Sequence, residues 1–473
     1  MKTEDSFLLL LVFSLSVVTR FWLIHHPDCV VFDEVHFGNF TNWYTKSEYF
    51  YDIHPPLGKL VMFLFANLSE YNGNIDFEGW YAKKYLDEQY IILRITPAFF
   101  SSLCAPMIYM SMKFLGFSSM AAFVSSFCMI FDTSLLTEHR FILSDGMLHF
   151  FTCLFFVVYS YKRSLSPKDR RFSFWMNCSG YALGAACSCK NTAWGLIGYV
   201  AITEILDIIV AVRTFNIHVL DRIVYNGLVL FMPMVIVYLC SFCIHFMLLP
   251  FCGQGSPYLP SEMQKQLVNK TRATSQLWGK RIQTPNMYVR ILTLAVNMHY
   301  GNMGITQFHP YQSRPQGWPL LTDTYVAFWV SGMNEVNCMG NVFVYYIVVL
   351  SLITNFFGIW KKNWYQGLNF VFGWCSCYLP FFLIPRSMYL YHYLIPLMIG
   401  CMSIGSSIDI WLKNRMKGFI SFLICILALV GFYFWSPYAY GTPHLDRSIV
   451  IWNDNWIYGD KHHRKLQIES RKK

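Results

Sequence analysis

The chain has 473 residues and a formal net charge of +10, with 55% hydrophobic, 18% aromatic and only 14% charged side chains and a mean hydropathy of +0.36. A soluble domain carries roughly 25% charged residues, so this composition argues against an ordinary soluble fold and for a multi-pass membrane protein. The basic excess does not point to nucleic acid, because much of it lies in short loops between apolar runs, where it orients a membrane protein.

Taken in order, the chain predicts eleven membrane spans of about 20 residues, with wide tolerance in length: 7–24, 91–113, 117–132, 143–161, 175–189, 192–212, 224–250, 340–360, 366–384, 388–409 and 417–435. The run from Phe7 to Ile24 is broken only by Arg20 and lacks a small-residue cleavage site, so an uncleaved first span is expected. The basic stretches Lys162–Arg171, Trp360–Asn363 and Lys413–Lys417, with the milder Arg213 and Arg222, all fall on the cytosolic side if the N-terminus is cytosolic. Residues 25–90, 251–339 and the tail then face the other side, and the basic tail from Asp460 to Lys473 is the one feature against that assignment. This divides the chain into an N-terminal transmembrane module (1–250) with a first non-cytosolic loop (25–90), a second non-cytosolic loop (251–339) and a C-terminal module (340–473). Leu57–Leu68 is apolar but too short to cross, as suits a helix lying in the interface. The 15 cysteines are scattered. Cys187-x-Cys189 and Cys375-x-Cys377 have no histidine at metal-ligand spacing and read as small apolar groups in helices.

The segment Val31–Lys59 carries the densest chemistry. Asp33 and Glu34 stand about ten residues beyond the first span, followed by His36, His54 and Lys59. A carboxylate there can deprotonate an incoming hydroxyl or hold a metal that orients a phosphate. The alternative is a solvated acidic pair, and Val30, Val31, Phe32, Val35 and Phe37 around it speak against that. His54 precedes Pro55-Pro56, which fixes the backbone; a contact with phosphate or sugar and a rigid turn are both open. Arg20 and Arg94 lie in spans, where an arginine needs a partner. Either a phosphate or a salt bridge to the acidic pair satisfies Arg94. Glu138, Arg140, Asp145, Lys190, Arg386 and His392 flank other spans on the same predicted face. Singly each reads as structural, and together they make a pocket for an anion beside lipid. No glycine-rich nucleotide loop, HExxH or GxSxG is present, so a sugar donor need not be a nucleotide sugar.

Phe32–Phe40 with Asp52–Lys59, then Leu93–Ala98, His139–Asp145, His309–Ser313 with Gly317–Leu320, and Tyr391–Leu394 closely resemble the protein O-mannosyltransferases, in order and along nearly the whole chain. The resemblance implies an all-α integral membrane protein of the GT-C glycosyltransferase fold. It implies transfer of mannose, with inversion, from dolichyl-phosphate mannose to Ser/Thr hydroxyls of proteins in the endoplasmic reticulum lumen. It makes Asp33 the catalytic carboxylate and Glu34 its catalytic neighbour. Arg94 becomes the arginine near the donor phosphate, Arg20 the first-span arginine, and His54 part of the matching HPP motif. Arg140, Asp145, Arg386 and His392 fall in further motifs and are expected to bind substrate. No resident cofactor or metal site is expected, although two adjacent acids leave a divalent ion open. A homodimer or a heterodimer with a paralogue is expected. The 251–339 loop is too short for the three-repeat MIR domain of eukaryotic members, so acceptor recognition and pairing are expected to depart from the common pattern.

Two competing readings remain. Another GT-C enzyme using a different polyprenyl-phosphate sugar shares this composition. A multi-pass transporter would place its ionisable groups near the midplane, often in repeated halves; here they cluster at one face and no repeat is visible.

Overall fold

The computed structural model describes residues 3–77, 83–211, 217–265, 267, 287–332, 334–361, 364–459 and 461–472. Parts of the basic loops (Arg213, Lys362, Asn363), the ends of the tail (Asp460, Lys473) and residues 266 and 268–286 of the long loop lie outside them.

The N-terminal half runs through α1 (Thr3–Phe21), α2 (Glu34–Thr45), α3 (Leu57–Leu68), α4 (Tyr90–Ser102), α5 (Cys104–Phe114), α6 (Ser119–Ile130), α7 (Thr133–Glu138), α8 (Asp145–Ser164), α9 (Arg171–Cys187), α10 (Gly195–Ala211) and α11 (Ile217–Leu248). There follow α12 (Met287–Met303), the strands β1 (Val326–Ser331) and β2 (Asn334–Cys338), α13 (Val342–Phe356), α14 (Trp364–Tyr378), α15 (Leu394–Trp411), α16 (Asn414–Tyr440) and α17 (Lys461–Lys472). Each of the eleven apolar segments falls on a helix, with α4 and α5 together forming the second. Among the described residues four helices are long and apolar enough to cross a membrane: Tyr90–Phe114, Leu220–Leu248, Leu390–Trp411 and Arg415–Tyr440. Leu57–Leu68 is helical, as its pattern predicts.

The 251–339 loop has more structure than its composition suggests. It contributes helix α12 and the antiparallel β1–β2 ribbon, a small departure from an all-α chain. The ribbon pairs Ala327 with Asn337 and Trp329 with Val336, leaving Phe328 as the extra residue of a bulge. A bulged residue is released from the ladder, and the Phe328 carbonyl accepts the Phe32 N–H at 3.1 Å. The basic tail packs on the same ribbon. Arg464 and Arg447 both pair with the fully buried Glu335 on β2, so part of the tail's charge is neutralised locally.

Helices α9 and α11 pack through small residues. Gly180 and Gly184 share one face of α9, four residues apart, and a Cβ on Gly180 would stand 2.1 Å from the Leu230 carbonyl oxygen of α11. Small residues at this spacing let membrane helices approach backbone to backbone. Gly227 on α11 has open space beside it. Gly180→Ala is therefore expected to lower thermal stability in detergent by about 1–3 kcal/mol through overpacking. Gly227→Ala is expected to hold or raise it, since alanine is about 1 kcal/mol the better helix former; paired thermal unfolding measurements compare the two.

Candidate active site

The turn between α1 and α2 is built by two backbone devices. Phe32 adopts φ +47°, a left-handed conformation that a bulky side chain rarely takes. Its N–H bond to Phe328 and the stacking of the two rings, with centroids 4.2 Å apart and 7° between planes, hold it there. Asp33 is the N-cap of α2, yet its side chain caps nothing. Aspartate at this position ordinarily spends its carboxylate on the first-turn N–H groups. Here that carboxylate lines a cavity of about 530 Å³.

The neighbouring residue faces the other way, because one helical step turns the side chain by about 100°. Glu34 is fully buried and accepts from Arg94 Nε at 2.7 Å and Nη2 at 2.8 Å. It also accepts from the Val31 and Ile142 N–H groups at 2.9 and 3.0 Å and the Tyr85 hydroxyl at 2.9 Å. Arg94 donates further to the carbonyls of Pro27 and Cys29 at 2.8 and 3.0 Å, with the Tyr90 ring 4.9 Å away. The resemblance assigned Glu34 to catalysis and Arg94 to the donor phosphate. The structure pairs them bidentately behind the turn, and neither lines the cavity.

Arg20 and Arg140 are likewise spent on backbone. Arg20 donates to the Ile130 carbonyl at 3.0 Å and to Thr19 Oγ1 at 2.8 Å. Arg140 donates to the carbonyls of Arg20, Trp22 and Leu23 and lies 4.4 Å over the Tyr440 ring. Basic side chains commonly satisfy the last carbonyls of a helix in this way, and both arginines are buried away from the cavity.

The rest of the cavity lining includes aromatic and polar residues, Trp43, Tyr51, Tyr258, His309 and Tyr389 among them. His54 and Arg386 line it too, and they also line a second cavity of about 210 Å³ that holds Lys190, Trp194 and His392. The two cavities therefore share a cation and an imidazole. Asp145 ion-pairs with Lys190 through both oxygens at 3.0 and 3.1 Å, and Lys190 lies 4.8 Å over the Tyr391 ring. His392 bonds to the Tyr389 backbone. Asp33, His54, Arg386 and His392 are thus brought to the cavities directly, and Asp145 through Lys190.

Electrostatics separate the two aspartates on this face. Burial raises the Asp33 carboxyl above the usual range; His36 and Lys190 oppose this, and Asp145 and Asp52 add to it. Burial works the same way on Asp52, but the Lys59 ammonium outweighs it and holds that carboxyl below the usual range. Lys59 also donates to the carbonyls of His54 and Pro55 at 2.8 and 3.1 Å. Burial, helped by Lys190, Lys59 and Arg386, pushes His54 down to about 3 against the pull of Asp52. His54 is therefore a neutral ring near pH 7, and its buried Nδ1 has no hydrogen-bond partner among the described residues. Among those residues no three His, Cys, Asp or Glu side chains stand together as a metal ligand set.

Sequence reasoning undervalued Lys190, Asp52 and Lys59. Lys190 stands alone between two apolar runs, and only the fold shows Asp145 beside it. Asp52 and Lys59 flank the Pro-Pro turn seven residues apart, which was the available signal for a pair. Removing one partner of a buried ion pair costs about 3–5 kcal/mol. Glu34→Ala, which strands Arg94, is accordingly expected to lower the unfolding midpoint sharply, whereas Asp33→Asn is expected to leave it nearly unchanged; thermal unfolding of the two proteins checks both.

Comparison with known proteins matches the same elements. A family model described as dolichyl-phosphate-mannose-protein mannosyltransferase matches residues 10–250, and one for the C-terminal four-span region of protein-O-mannosyltransferase matches 288–456. Dolichyl-phosphate-mannose–protein mannosyltransferase 3 of Saccharomyces cerevisiae is 35% identical over 274 residues, which is 56% of this chain and 36% of that protein. Protein O-mannosyl-transferase 2 of Danio rerio is 32% identical over 272 residues, 55% of this chain and 35% of that protein. The matched stretch thus spans about a third of the length of these relatives. In fold, the chain resembles a solved S. cerevisiae protein O-mannosyltransferase Pmt1-Pmt2 complex bound to the sugar donor, with TM-score 0.85 at 18% identity, covering 98% of this chain and 95% of that one. An oligosaccharyltransferase of Archaeoglobus fulgidus aligns at TM-score 0.53 and 11% identity, over 94% of this chain and 56% of that one. The fold is that of a GT-C multi-pass membrane glycosyltransferase, and the chain belongs to the dolichyl-phosphate-mannose-protein mannosyltransferase family.

Proposed function

We propose that this protein transfers mannose from dolichyl-phosphate mannose to Ser/Thr hydroxyls of proteins, with inversion at the sugar. The observation that carries this reading is the pair of cavities joined at His54 and Arg386, with an uncommitted carboxylate, Asp33, in the larger one. The lipid phosphate of the donor fits the smaller cavity, where Arg386 supplies positive charge and Trp194, Pro380 and Phe381 supply apolar surface. The acceptor hydroxyl fits the larger, aromatic cavity beside Asp33.

The chemistry then divides simply. Asp33 takes the proton of the acceptor hydroxyl as its oxygen attacks the anomeric carbon. The bond from that carbon to the phosphate oxygen breaks, and its electron pair leaves on the lipid phosphate. Attack from the side opposite the leaving group inverts the centre. Arg386 meets the charge that grows on the phosphate; stabilisation of this kind is often the largest catalytic contribution. His54, being neutral, can donate one hydrogen bond at the junction without competing for the anion. Glu34 and Arg94 serve by fixing the turn that aims Asp33. The names of relatives and the donor-bound yeast complex support this reading, and the latter also supports pairing with a paralogue. Residence in the endoplasmic reticulum membrane, with the site on the lumenal side, follows from the same reading.

An in vitro assay with dolichyl-phosphate mannose and a Ser/Thr peptide tests it. General-base catalysis is worth about 10²–10⁴-fold, so Asp33→Asn is expected to lose that much turnover while keeping donor binding. Equal activity of the two proteins removes Asp33 as the base.

The pH profile provides a second test. The base must be ionised, and burial raises its pKa, so activity falls as pH drops through a value above the usual aspartate range. The rate–pH curve of the wild type is expected to show this acid limb, and residual activity of Asp33→Asn is expected to lack it.

A further inference from the structure

Most cations around the site are already neutralised. Arg94 pairs with Glu34, Lys190 with Asp145 and Lys59 with Asp52. Arg386 lines both cavities and has no carboxylate partner among the described residues. Its guanidinium is held by two neutral oxygens: Nε donates to the Ser387 carbonyl at 3.1 Å and Nη1 to Asn302 Oδ1 at 2.5 Å. Asn302 itself lines the smaller cavity.

Asn302 is held in place from two sides. It sits in the last turn of α12, whose inner residues Ile291, Leu294 and Met298 pack with Phe242 of α11. One turn earlier the Asn297 carbonyl accepts the Tyr51 hydroxyl at 2.9 Å. Just beyond the helix the Ile305 carbonyl accepts the Ser387 N–H at 2.9 Å. The asparagine is thus tied on one side to the loop that carries Asp52 and His54, and on the other to the segment that carries Arg386.

We propose that Asn302 is a positioning residue for the donor phosphate: it orients the Arg386 guanidinium with an uncharged oxygen, so that the arginine keeps its positive charge for the anion. The proposal rests on the reading that Arg386 meets that phosphate. The chemistry explains why an amide stands here. An aspartate of the same shape would accept the same hydrogen bond, but it would also form an ion pair and compete with the phosphate for the charge. A residue that only packs or braces the helix would tolerate that isosteric exchange.

The experiment compares Asn302→Asp, Asn302→Ala, Arg386→Gln and the double variant Asn302→Asp/Arg386→Gln. Initial rates are measured against dolichyl-phosphate mannose at saturating peptide, with thermal unfolding of each protein alongside. Asn302→Asp is expected to raise the donor KM about tenfold, the size of one charge-assisted contact. Its kcat is expected to fall as well, because Arg386 also meets the charge that grows on the phosphate, while the peptide KM and unfolding midpoint are expected to stay close to wild type. Asn302→Ala is expected to raise the donor KM less, since it frees the arginine without discharging it. In the Arg386→Gln background the aspartate is expected to add nothing. An unchanged donor KM in Asn302→Asp, alongside a raised one in Arg386→Gln, overturns the inference and leaves the phosphate reading standing. Effects that simply multiply in the double variant also overturn it, because Asn302 would then act independently of Arg386. An unchanged donor KM in Arg386→Gln overturns the phosphate reading and this inference with it.

Discussion

The buried pair of Glu34 and Arg94 is the interaction on which the site depends. A carboxylate and a guanidinium with no solvent exposure are costly to desolvate, and the cost is offset only when geometry and remaining hydrogen bonds are complete. Here they are: the carboxylate gathers the N–H groups of Val31 and Ile142 and the Tyr85 hydroxyl, and the guanidinium gathers carbonyls from the turn after α1. Four separated parts of the chain, residues 24–34, Tyr85, α4 and the 138–145 segment, converge on one pair of charges. Their convergence fixes the backbone from which Asp33 projects.

Two adjacent acids thereby take unlike environments. Glu34 is saturated with donors, while Asp33 keeps a carboxylate that no helix cap consumes. The same economy extends across the face. Lys59 answers Asp52, Lys190 answers Asp145, and His54 is kept neutral by burial and by the surrounding cations. On the proposed reading, the charge left available is one carboxylate for a hydroxyl proton and one guanidinium for a phosphate. A site with few free charges avoids binding its own groups in place of its substrates.

Much of this was legible in the sequence. The apolar runs are long relative to their interruptions, so the helices they form were readable, and Leu57–Leu68 declared itself by being too short to span. The unsolvated setting of Asp33-Glu34 was legible because apolar neighbours surround charges that ought to be solvated. The division of labour between them was not, since it depends on which side of one helical turn faces Arg94. Arginines in spans announce that they need a partner without saying which. Arg20 and Arg140 proved to serve carbonyls, and Arg94 a carboxylate. The ribbon and α12 were also hidden. They flank the 307–320 tract, which is rich in Pro, aromatic and polar residues, and what orders them is contact with α11, the tail and the turn that carries Asp33, all distant along the chain.

The stacking of Phe32 on Phe328 has a consequence for how the protein is made. The strained residue beside Asp33 is secured by a ring and a carbonyl that lie 296 positions later in the sequence. At a synthesis rate of about 5–20 residues per second, roughly 15–60 s separate the emergence of the two. During that interval the N-terminal helices can insert and pack, but the turn lacks its support. Competence therefore arrives late in translation, when the ribbon has formed, and a ribosome-bound chain ending before it carries the acidic pair without a finished site.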